Sequence, residues 1–186
     1  MGPWDHGLKS QFFKKIFDLH NSSNIRDWQK IGVAVQAYGK RAFDVINHIN
    51  HLGNKREKIG VRLVKGAYWD YEIKNAQKNG YPDYSVFTAK SLTDLNYLYC
   101  AKAMIDSSSI LPCFATHNAN TISSIMHLAD GKDVSFQRLF GMGELLYQGC
   151  EKIYDQDFKT NIYCPIGEHK ELLPYLVRRL LENGAN

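Results

Sequence analysis

The sequence predicts an α/β fold in which parallel strands alternate with helices, as in the later part of a (β/α)8 barrel. Short apolar runs rich in β-branched and aromatic residues alternate with segments of helical period. The segments between these runs are long enough for the crossover that parallel strands need. Polar side chains follow nearly every predicted strand. This pattern favours a barrel over an open sheet, because all strands of a barrel end at one mouth.

The first half of the chain predicts three helices and two strands. Residues 8–19 place phenylalanine and isoleucine side chains on one helical face, and residues 41–52 repeat that spacing. Between them, the β-rich run at residues 31–38 predicts the first strand. A second strand at residues 60–68 is followed by a helix at residues 70–78.

The second half continues the alternation. A long helix at residues 90–105 precedes a third strand at residues 112–116, and a short helix covers residues 121–128. The run at residues 134–139 predicts a fourth strand, and the helix after it begins near Glu144 and passes Tyr147. Strand and helix thus follow each other as in the repeating unit of a barrel.

The last strand, at residues 161–165, leads into a strongly amphipathic helix at residues 169–182. Asn183 and Gly184 follow this helix as a good C-cap pair. A complete barrel has eight strands and typically about 250 residues, whereas this chain of 186 residues has five predicted strands. We therefore predict one domain that corresponds to the C-terminal part of a (β/α)8 TIM-like barrel, with about five βα units.

The composition is that of an ordinary globular protein, with 44% hydrophobic and 23% charged residues. The net charge of +4 is small and the basic residues are scattered, so no nucleic-acid surface is indicated. The four cysteines lie far apart without a C-x-x-C pair, which argues against a zinc site or a disulfide framework. Neither a signal peptide nor a run of about 18 apolar residues occurs. We expect a cytoplasmic protein with reduced thiols.

Residues 61–70 form the most informative segment, because a buried strand ends there in charged, glycine and aromatic groups. Arg62 and Lys65 place two cations in an otherwise apolar run, and interior cations need an anion or a strong acceptor. Gly66 allows a backbone or a planar ligand to approach closely, and the aromatic residues after it offer flat faces. The segment predicts a binding site at the carboxyl end of its strand.

The last helix carries a second candidate site. Tyr175, Arg178, Arg179 and Glu182 have offsets of three, four and seven, so they share one helical face. Two guanidinium groups beside an aromatic ring suit the bidentate binding of a small carboxylate. The alternative is a solvated face on which Arg178 and Glu182 form an i,i+4 pair.

The third candidate is His117, which follows an apolar strand between Thr116 and Asn118. The histidine is placed to donate to a cofactor oxygen, or to act as an acid or a base. The alternative is that Thr116 and Asn118 cap the next helix while His117 packs locally. Likewise, Thr88 and Lys90 precede a helix where an anionic cofactor would find free amides, or they form part of an N-terminal cap.

Several well-known motifs are absent. The lone G-x-G at Gly141 and Gly143 lacks the third glycine and the acidic residue of a dinucleotide fold. The chain contains no phosphate-binding P-loop, no G-x-S-x-G and no H-E-x-x-H. His48 and His51 have no partnering carboxylate motif and are not predicted to bind a metal. Cofactor-assisted redox chemistry at a cationic, aromatic barrel mouth is favoured.

Four long motifs, in this order, resemble the proline dehydrogenase domain of the bacterial bifunctional flavoenzyme family proline utilization A. They are residues 61–70 (VRLVKGAYWD), 114–118 (FATHN), 136–144 (FQRLFGMGE) and 175–186 (YLVRRLLENGAN). The resemblance runs from about residue 31 to the end, whereas residues 1–30 match only loosely. Residues 1–186 are thus identified as part of a proline dehydrogenase barrel with a poorly matched lead-in.

The resemblance implies an FAD-dependent enzyme that oxidises L-proline to Δ1-pyrroline-5-carboxylate by hydride transfer to flavin N5. Electrons would pass to a quinone, so the full-length enzyme would be cytoplasmic or peripheral on the inner membrane. An aldehyde dehydrogenase domain is expected in the full-length chain, and no metal and no nucleic acid are expected at this segment. Because the flavin performs the redox step, the protein would supply binding, orientation and charge.

The resemblance also implies roles for individual residues. Arg62 and Tyr68 would be catalytic. The proline substrate would contact Arg178, Arg179, Tyr175, Tyr163 and Leu139. The cofactor would contact Gln36, Arg62, Val64, Gly66, Ala67, Trp69, Thr88, Lys90, Thr116, His117, Asn118, Gln137 and Glu182.

The family's barrel begins with strands that have no counterpart in this sequence, and those strands supply a lysine, an aspartate and an acidic partner of the arginine pair. We therefore expect a fragment that is inactive alone, with unpaired edge strands near Ile31 and Asn161. Two alternatives stay open. One is a barrel lyase or aldolase that uses Lys65 as a Schiff-base amine, and the other is a non-catalytic remnant.

Overall fold

The structure is a computed structural model that describes residues 32–53, 58–155 and 158–184. The helix predicted at residues 8–19 lies outside these ranges. Five strands are described: β1 (Gly32–Gln36), β2 (Ile59–Val64), β3 (Ile110–Ala115), β4 (Ser135–Leu139) and β5 (Lys159–Tyr163). The helices between and after them are α1 (Ala42–Gly53), α2 (Trp69–Lys78), α3 (Lys90–Asp106), α4 (Ala119–Ala129), α5 (Glu144–Tyr154) and α6 (His169–Gly184).

The five strands form one parallel sheet whose order is the order of the chain. Val61 in β2, for example, pairs with Val33 in β1 and with Pro112 in β3. The predicted alternation of parallel strands and helices is therefore confirmed. Within the described ranges, β1 pairs only with β2 and β5 pairs only with β4, so both are edge strands of this sheet.

One face of the sheet packs against the helices and forms the core. The side chains of β2 alternate strictly, with Ile59, Val61 and Leu63 buried on the helix side. Helix α3 lies at the centre of this layer, because it packs against α1, α4, β2 and β3. Its Tyr97 and Met104 are fully buried. The opposite face of the sheet is left for the polar residues that alternate with the core residues.

Four of the five strands end earlier than the sequence predicts, and for β2 and β5 the structure shows why. Strand β2 ends at Val64 rather than at Tyr68, because Gly66 takes a φ of 125° that few other residues adopt. A Cβ atom at Gly66 would overlap the ring of Tyr38. Strand β5 ends before Pro165, which has no N–H group to donate to the ladder. In both cases the residues after the strand form loops at the carboxyl end of the sheet.

Helix α6 is oriented against the usual rule for amphipathic helices. The apolar side chains of Leu173, Val177, Leu180 and Leu181 are exposed, whereas Arg179 faces the carboxyl ends of the strands. The helix therefore meets the sheet through charged and aromatic groups. No helix in the described ranges is both long and apolar enough to span a bilayer.

A pair of substitutions on α3 tests the core. Met104→Ala should lower the free energy of unfolding by about 2–5 kcal/mol, because it opens a cavity in a fully packed region. Leu95→Ala, on the same helix, should change it by less than about 0.5 kcal/mol, because Leu95 is 66% exposed. Urea unfolding of the full-length protein, followed by tryptophan fluorescence, measures both. Equal losses would contradict this assignment of the core.

Candidate active site

A cavity of about 230 Å³ opens at the carboxyl ends of the strands. Each of the five strands, or the residues just after it, contributes to the wall, and α6 contributes the rest. This convergence is the arrangement that a barrel mouth requires. The wall consists of Ala34, Gln36, Arg62, Val64, Lys65, Ala67, Tyr68, Ala115, Thr116, His117, Gln137, Leu139, Tyr163, Tyr175 and Arg179.

Arg62 supplies a fixed positive charge in this wall. Its Nη1 donates to Oε1 of Gln137 at 3.0 Å, and its guanidinium carbon lies 5.7 Å from the ring centroid of Tyr163. The Nε atom of Arg62 is buried and has no hydrogen-bond partner in the described residues. A buried donor of this kind is costly unless it meets an acceptor, so the position suits an electron-rich ligand atom.

Lys65 is held by an ion pair at the same edge. Its Nζ lies 2.7 Å from Oδ1 of Asp94, and Nζ of Lys90 lies 2.8 Å from Oδ2 of that carboxylate. Partial burial alone would raise the pKa of Asp94, but the hydrogen bonds from Lys65 and Lys90 outweigh it and lower the pKa. A Schiff-base lysine needs a neutral amine. Since Nζ of Lys65 is already engaged by the Asp94 carboxylate, the geometry does not favour the lyase alternative.

His117 is fixed in one tautomer. The backbone N–H of Leu139 donates to its Nε2 at 3.2 Å, so Nε2 carries no proton and the neutral ring has its proton on Nδ1. The ring fits because residue 143 is glycine: a Cβ there would lie 2.7 Å from Cδ2 of His117. The structure thus places His117 in the cavity wall with its Nε2 already bonded to the backbone of β4.

The two arginines of α6 both lie close to the ring of Tyr68. The guanidinium carbons of Arg178 and Arg179 lie 5.5 Å and 6.0 Å from the centroid of that ring, and Arg179 lies 5.2 Å from the ring of Tyr175. Both arginines are half-buried. Cation–π contacts compensate part of the repulsion between two like charges. Two guanidinium groups held side by side in this way suit bidentate hydrogen bonds to a carboxylate.

The aromatic wall continues from α6 to β5. The ring centroids of Tyr163 and Tyr175 lie 6.3 Å apart in a tilted arrangement. Burial, together with the nearby Tyr163, raises the pKa of Tyr175, so its hydroxyl stays protonated. With Leu139, these rings give the cavity an apolar side next to its cationic side.

Most residues that the sequence nominates meet at this cavity. Twelve line it: Gln36, Arg62, Val64, Ala67, Tyr68, Thr116, His117, Gln137, Leu139, Tyr163, Tyr175 and Arg179. Six others are described but do not line it: Gly66, Trp69, Thr88, Lys90, Asn118 and Arg178. The side chain of Glu182 lies outside the described residues, and so does any pairing between it and Arg178.

The residues outside the wall have visible structural partners. The indole N–H of Trp69 donates to the Phe87 carbonyl at 2.7 Å, and Oδ1 of Asn118 accepts from the Thr121 amide at 2.9 Å and so caps α4. Sequence reasoning missed Ala34 and Ala115 in the wall. Both are small residues on the inner face of their strands, and this alternation was the signal available for finding them.

No cluster of three or more histidine, cysteine or acidic side chains that could hold a metal ion occurs within the described residues. The four cysteines are not disulfide-bonded. Burial raises the pKa of the Cys100 thiol to about 12, so this thiol is not a nucleophile near neutral pH. The polar and aromatic groups that line the cavity are cations, side-chain amides, tyrosine rings, a histidine and a threonine.

Comparison with known proteins gives one family. The family model for proline dehydrogenase matches residues 4–186. The chain is 48% identical over 168 residues to "Bifunctional protein PutA" of Salmonella typhimurium, a match that covers 86% of this chain and 13% of that protein. Over 138 residues it is 31% identical to "Proline dehydrogenase 1, mitochondrial" of Caenorhabditis elegans, which covers 68% of this chain and 22% of that protein.

Solved structures agree with this match. A crystal structure of a Bradyrhizobium japonicum proline utilization A (PutA) mutant aligns with a TM-score of 0.85 and 47% identity, over 94% of this chain and 18% of that chain. The chain thus spans about an eighth of the length of the bacterial relative and less than a fifth of the solved chain.

The contact between residue 143 and His117 can be tested with a matched pair of substitutions. Gly143→Ala should displace the His117 ring and break its bond from the Leu139 amide, so that hydrogen exchange at Leu139 accelerates about tenfold. Gly141→Ala is the control. Gly141 also has a positive φ, but a Cβ atom at this residue would have no neighbouring atom within 4 Å. If both variants accelerate Leu139 equally, backbone strain rather than the histidine contact is responsible.

The ion pairs of Asp94 make stability depend on pH with a definite sign. Its pKa in the folded protein lies below 3.8, so the stabilisation is present above pH 3.8 and is lost as pH falls through the folded pKa. Asp94→Asn should therefore lower the urea midpoint at pH 7, and the difference from wild type should shrink below pH 3.8. Asp133→Asn, which removes an exposed pair with Lys159, should have little effect at either pH.

Proposed function

This chain belongs to the proline dehydrogenase family, and on that premise we propose that it forms part of an FAD-binding barrel that oxidises L-proline to Δ1-pyrroline-5-carboxylate. The observation that carries the proposal is the half-buried arginine pair on α6, which faces Tyr68 at the mouth of the sheet. Its two guanidinium groups match the carboxylate of an amino acid. The adjacent tyrosines and Leu139 match its apolar ring.

The residues of the cavity also fit FAD. The buried Nε of Arg62 lacks an acceptor within the described residues, and a flavin ring offers carbonyl and nitrogen acceptors. His117 lines the same cavity. Lys65, Lys90 and Asp94 carry a net charge of one positive unit at the N-terminus of α3, where an anionic phosphate group is favoured. When bound, FAD would supply the hydride acceptor.

We propose that two groups of residues would hold the two parts of FAD. The flavin ring would be held by Gln36, Arg62, Val64, Gly66, Ala67 and Trp69. The remainder would be held by Thr88, Lys90, Thr116, His117, Asn118, Gln137 and Glu182. Gly66 and Asn118 would contribute indirectly, since Gly66 packs on Tyr38 and Asn118 caps α4.

The protein's part in the reaction is binding and orientation. Arg178 and Arg179 would fix the proline carboxylate, so that the ring keeps one orientation through the reaction. Tyr163, Tyr175 and Leu139 would pack on the pyrrolidine ring and exclude water from one side of it. The ring nitrogen must be unprotonated for oxidation at the adjacent carbon.

Arg62 and Tyr68 would act closest to the reacting atoms. Arg62 holds a permanent positive charge in a partly desolvated wall, where it stabilises negative charge that develops in the transition state. Its bond to Gln137 keeps the guanidinium group in place before the ligand arrives. Tyr68 would keep the two arginines of α6 apart and oriented, because its ring lies within about 6 Å of both.

The wider role of the protein follows the same reasoning. The bacterial relative named above is called bifunctional and is much longer than this chain. We propose that the full-length protein is cytoplasmic, carries an aldehyde dehydrogenase domain and passes electrons to a quinone while peripheral on the inner membrane. We also propose that the 186-residue chain alone is inactive and retains little FAD, because β1 and β5 are edge strands of the described sheet.

Two substitutions in the full-length protein test the proposed function. Arg178→Met or Arg179→Met should raise the KM for proline about 100-fold, because a charge-assisted bidentate contact is lost. The flavin absorbance of the purified protein should remain. Lys170→Met is the control on the same helix, because Lys170 is highly exposed, and it should leave the KM within about twofold. An unchanged KM in both arginine variants would refute the carboxylate clamp.

A further inference from the structure

Two buried tyrosines connect neighbouring strands at the point where their ladders end. The last paired residues are Leu63 with Phe114 between β2 and β3, and Ala115 with Gln137 between β3 and β4. At this point a tyrosine side chain from a helix connects β3 to each of its two neighbouring strands. The hydroxyl of Tyr97, from α3, lies 3.4 Å from the carbonyls of Leu63 and Ala115.

The second bridge is shorter. The hydroxyl of Tyr147, from α5, lies 2.8 Å from the Thr116 carbonyl and 3.1 Å from the Gln137 carbonyl. The carboxyl end of β3 is therefore held towards β2 by Tyr97 and towards β4 by Tyr147. Both tyrosines are at least 99% buried, so neither forms part of the cavity wall.

We propose that Tyr97 and Tyr147 are positioning residues of the site, whose hydroxyls fix the carboxyl end of β3 and thereby set the opening that admits the cofactor. The proposal rests on the proposed function, since it assigns these tyrosines a task in FAD binding. The bridged carbonyls belong to wall residues or their neighbours: Ala115, Thr116 and Gln137 line the cavity. A shift of these carbonyls must therefore shift the wall.

The proposed role requires the hydroxyl groups of Tyr97 and Tyr147 and not only their rings. A phenylalanine would fill nearly the same volume in the core, but it would remove the donor from the carbonyls of Ala115 and Thr116, which lie one residue beyond the last pairs of β3 with β2 and with β4. Burial raises the pKa of both tyrosines, so they remain protonated donors throughout the physiological range. Each has only one proton to share between two strands.

Tyr147 also supports His117. The two ring centroids lie 6.3 Å apart, and His117 in turn accepts the Leu139 amide. The ends of β3 and β4 are thus joined twice, by Tyr147 on the core side and by His117 on the cavity side. Loss of the Tyr147 hydroxyl should loosen the outer bond as well as the inner one.

The test uses Tyr147→Phe and Tyr97→Phe in the full-length protein, with Tyr154→Phe as the control. Tyr154 lies on α5 with Tyr147, and its ring stacks on Phe158. Two quantities are measured below the unfolding temperature of every variant: the Kd of the apoprotein for FAD, by flavin fluorescence, and the hydrogen-exchange rate of the Leu139 amide. The KM for proline is measured on the FAD-saturated proteins.

Tyr147→Phe should raise the Kd for FAD about tenfold and accelerate Leu139 exchange by a similar factor. Tyr97→Phe should raise the Kd less, because its hydrogen bonds are longer, and Tyr154→Phe should stay within about twofold. The KM for proline should hardly change, because the arginines lie on α6. General destabilisation would change all three quantities together.

The proposal is overturned if Tyr147→Phe matches Tyr154→Phe in either FAD affinity or Leu139 exchange. If Tyr147→Phe does not fold, Tyr97→Phe decides the question by its Kd for FAD, and a value equal to that of Tyr154→Phe overturns the proposal. A wild-type protein that binds no FAD, or does not oxidise proline, refutes the proposed function instead. Unaltered Leu139 exchange in a folded Tyr147→Phe would, independently of any cofactor, refute the positioning role.

Discussion

The parallel pairing of β1 to β5 in chain order is the constraint on which the site depends. Parallel pairing sends every strand in the same direction, so all five carboxyl ends lie at one edge of the sheet. Residues far apart in sequence, such as Gln36 and Tyr163, meet there without any special long-range contact. The strict alternation of β2 then assigns its apolar residues to the core and Arg62 and Val64 to the inner face.

Positive charge is the second organising feature of this edge. Arg62, Lys65 and Arg179 belong to the cavity wall, and Arg178 shares the ring of Tyr68 with its neighbour. The protein stabilises these charges in different ways: a side-chain amide for Arg62, a carboxylate for Lys65 and aromatic faces for the arginines of α6. The edge as a whole is suited to anions.

Sequence alone was sufficient for the order of strands and helices and for most of the wall, because both follow from local periodicity and from the polar residues at strand ends. It was insufficient where a residue acts on a different βα unit. Asp94 reads as an ordinary first-turn acid, and Tyr97 and Tyr147 read as core aromatics. Gly143 reads as half of an incomplete motif, although its role is to make room for His117. These functions depend on tertiary contacts that no short pattern encodes.

The outward leucines of α6 have a thermodynamic consequence. This helix approaches the strand ends with guanidinium and aromatic groups, while four of its apolar side chains stay exposed. Under the proposed function, a carboxylate bound by Arg178 and Arg179 would also contact the helix that carries them. Ligand occupancy and ordering of the final helix would then be linked equilibria, and each would favour the other to the same extent.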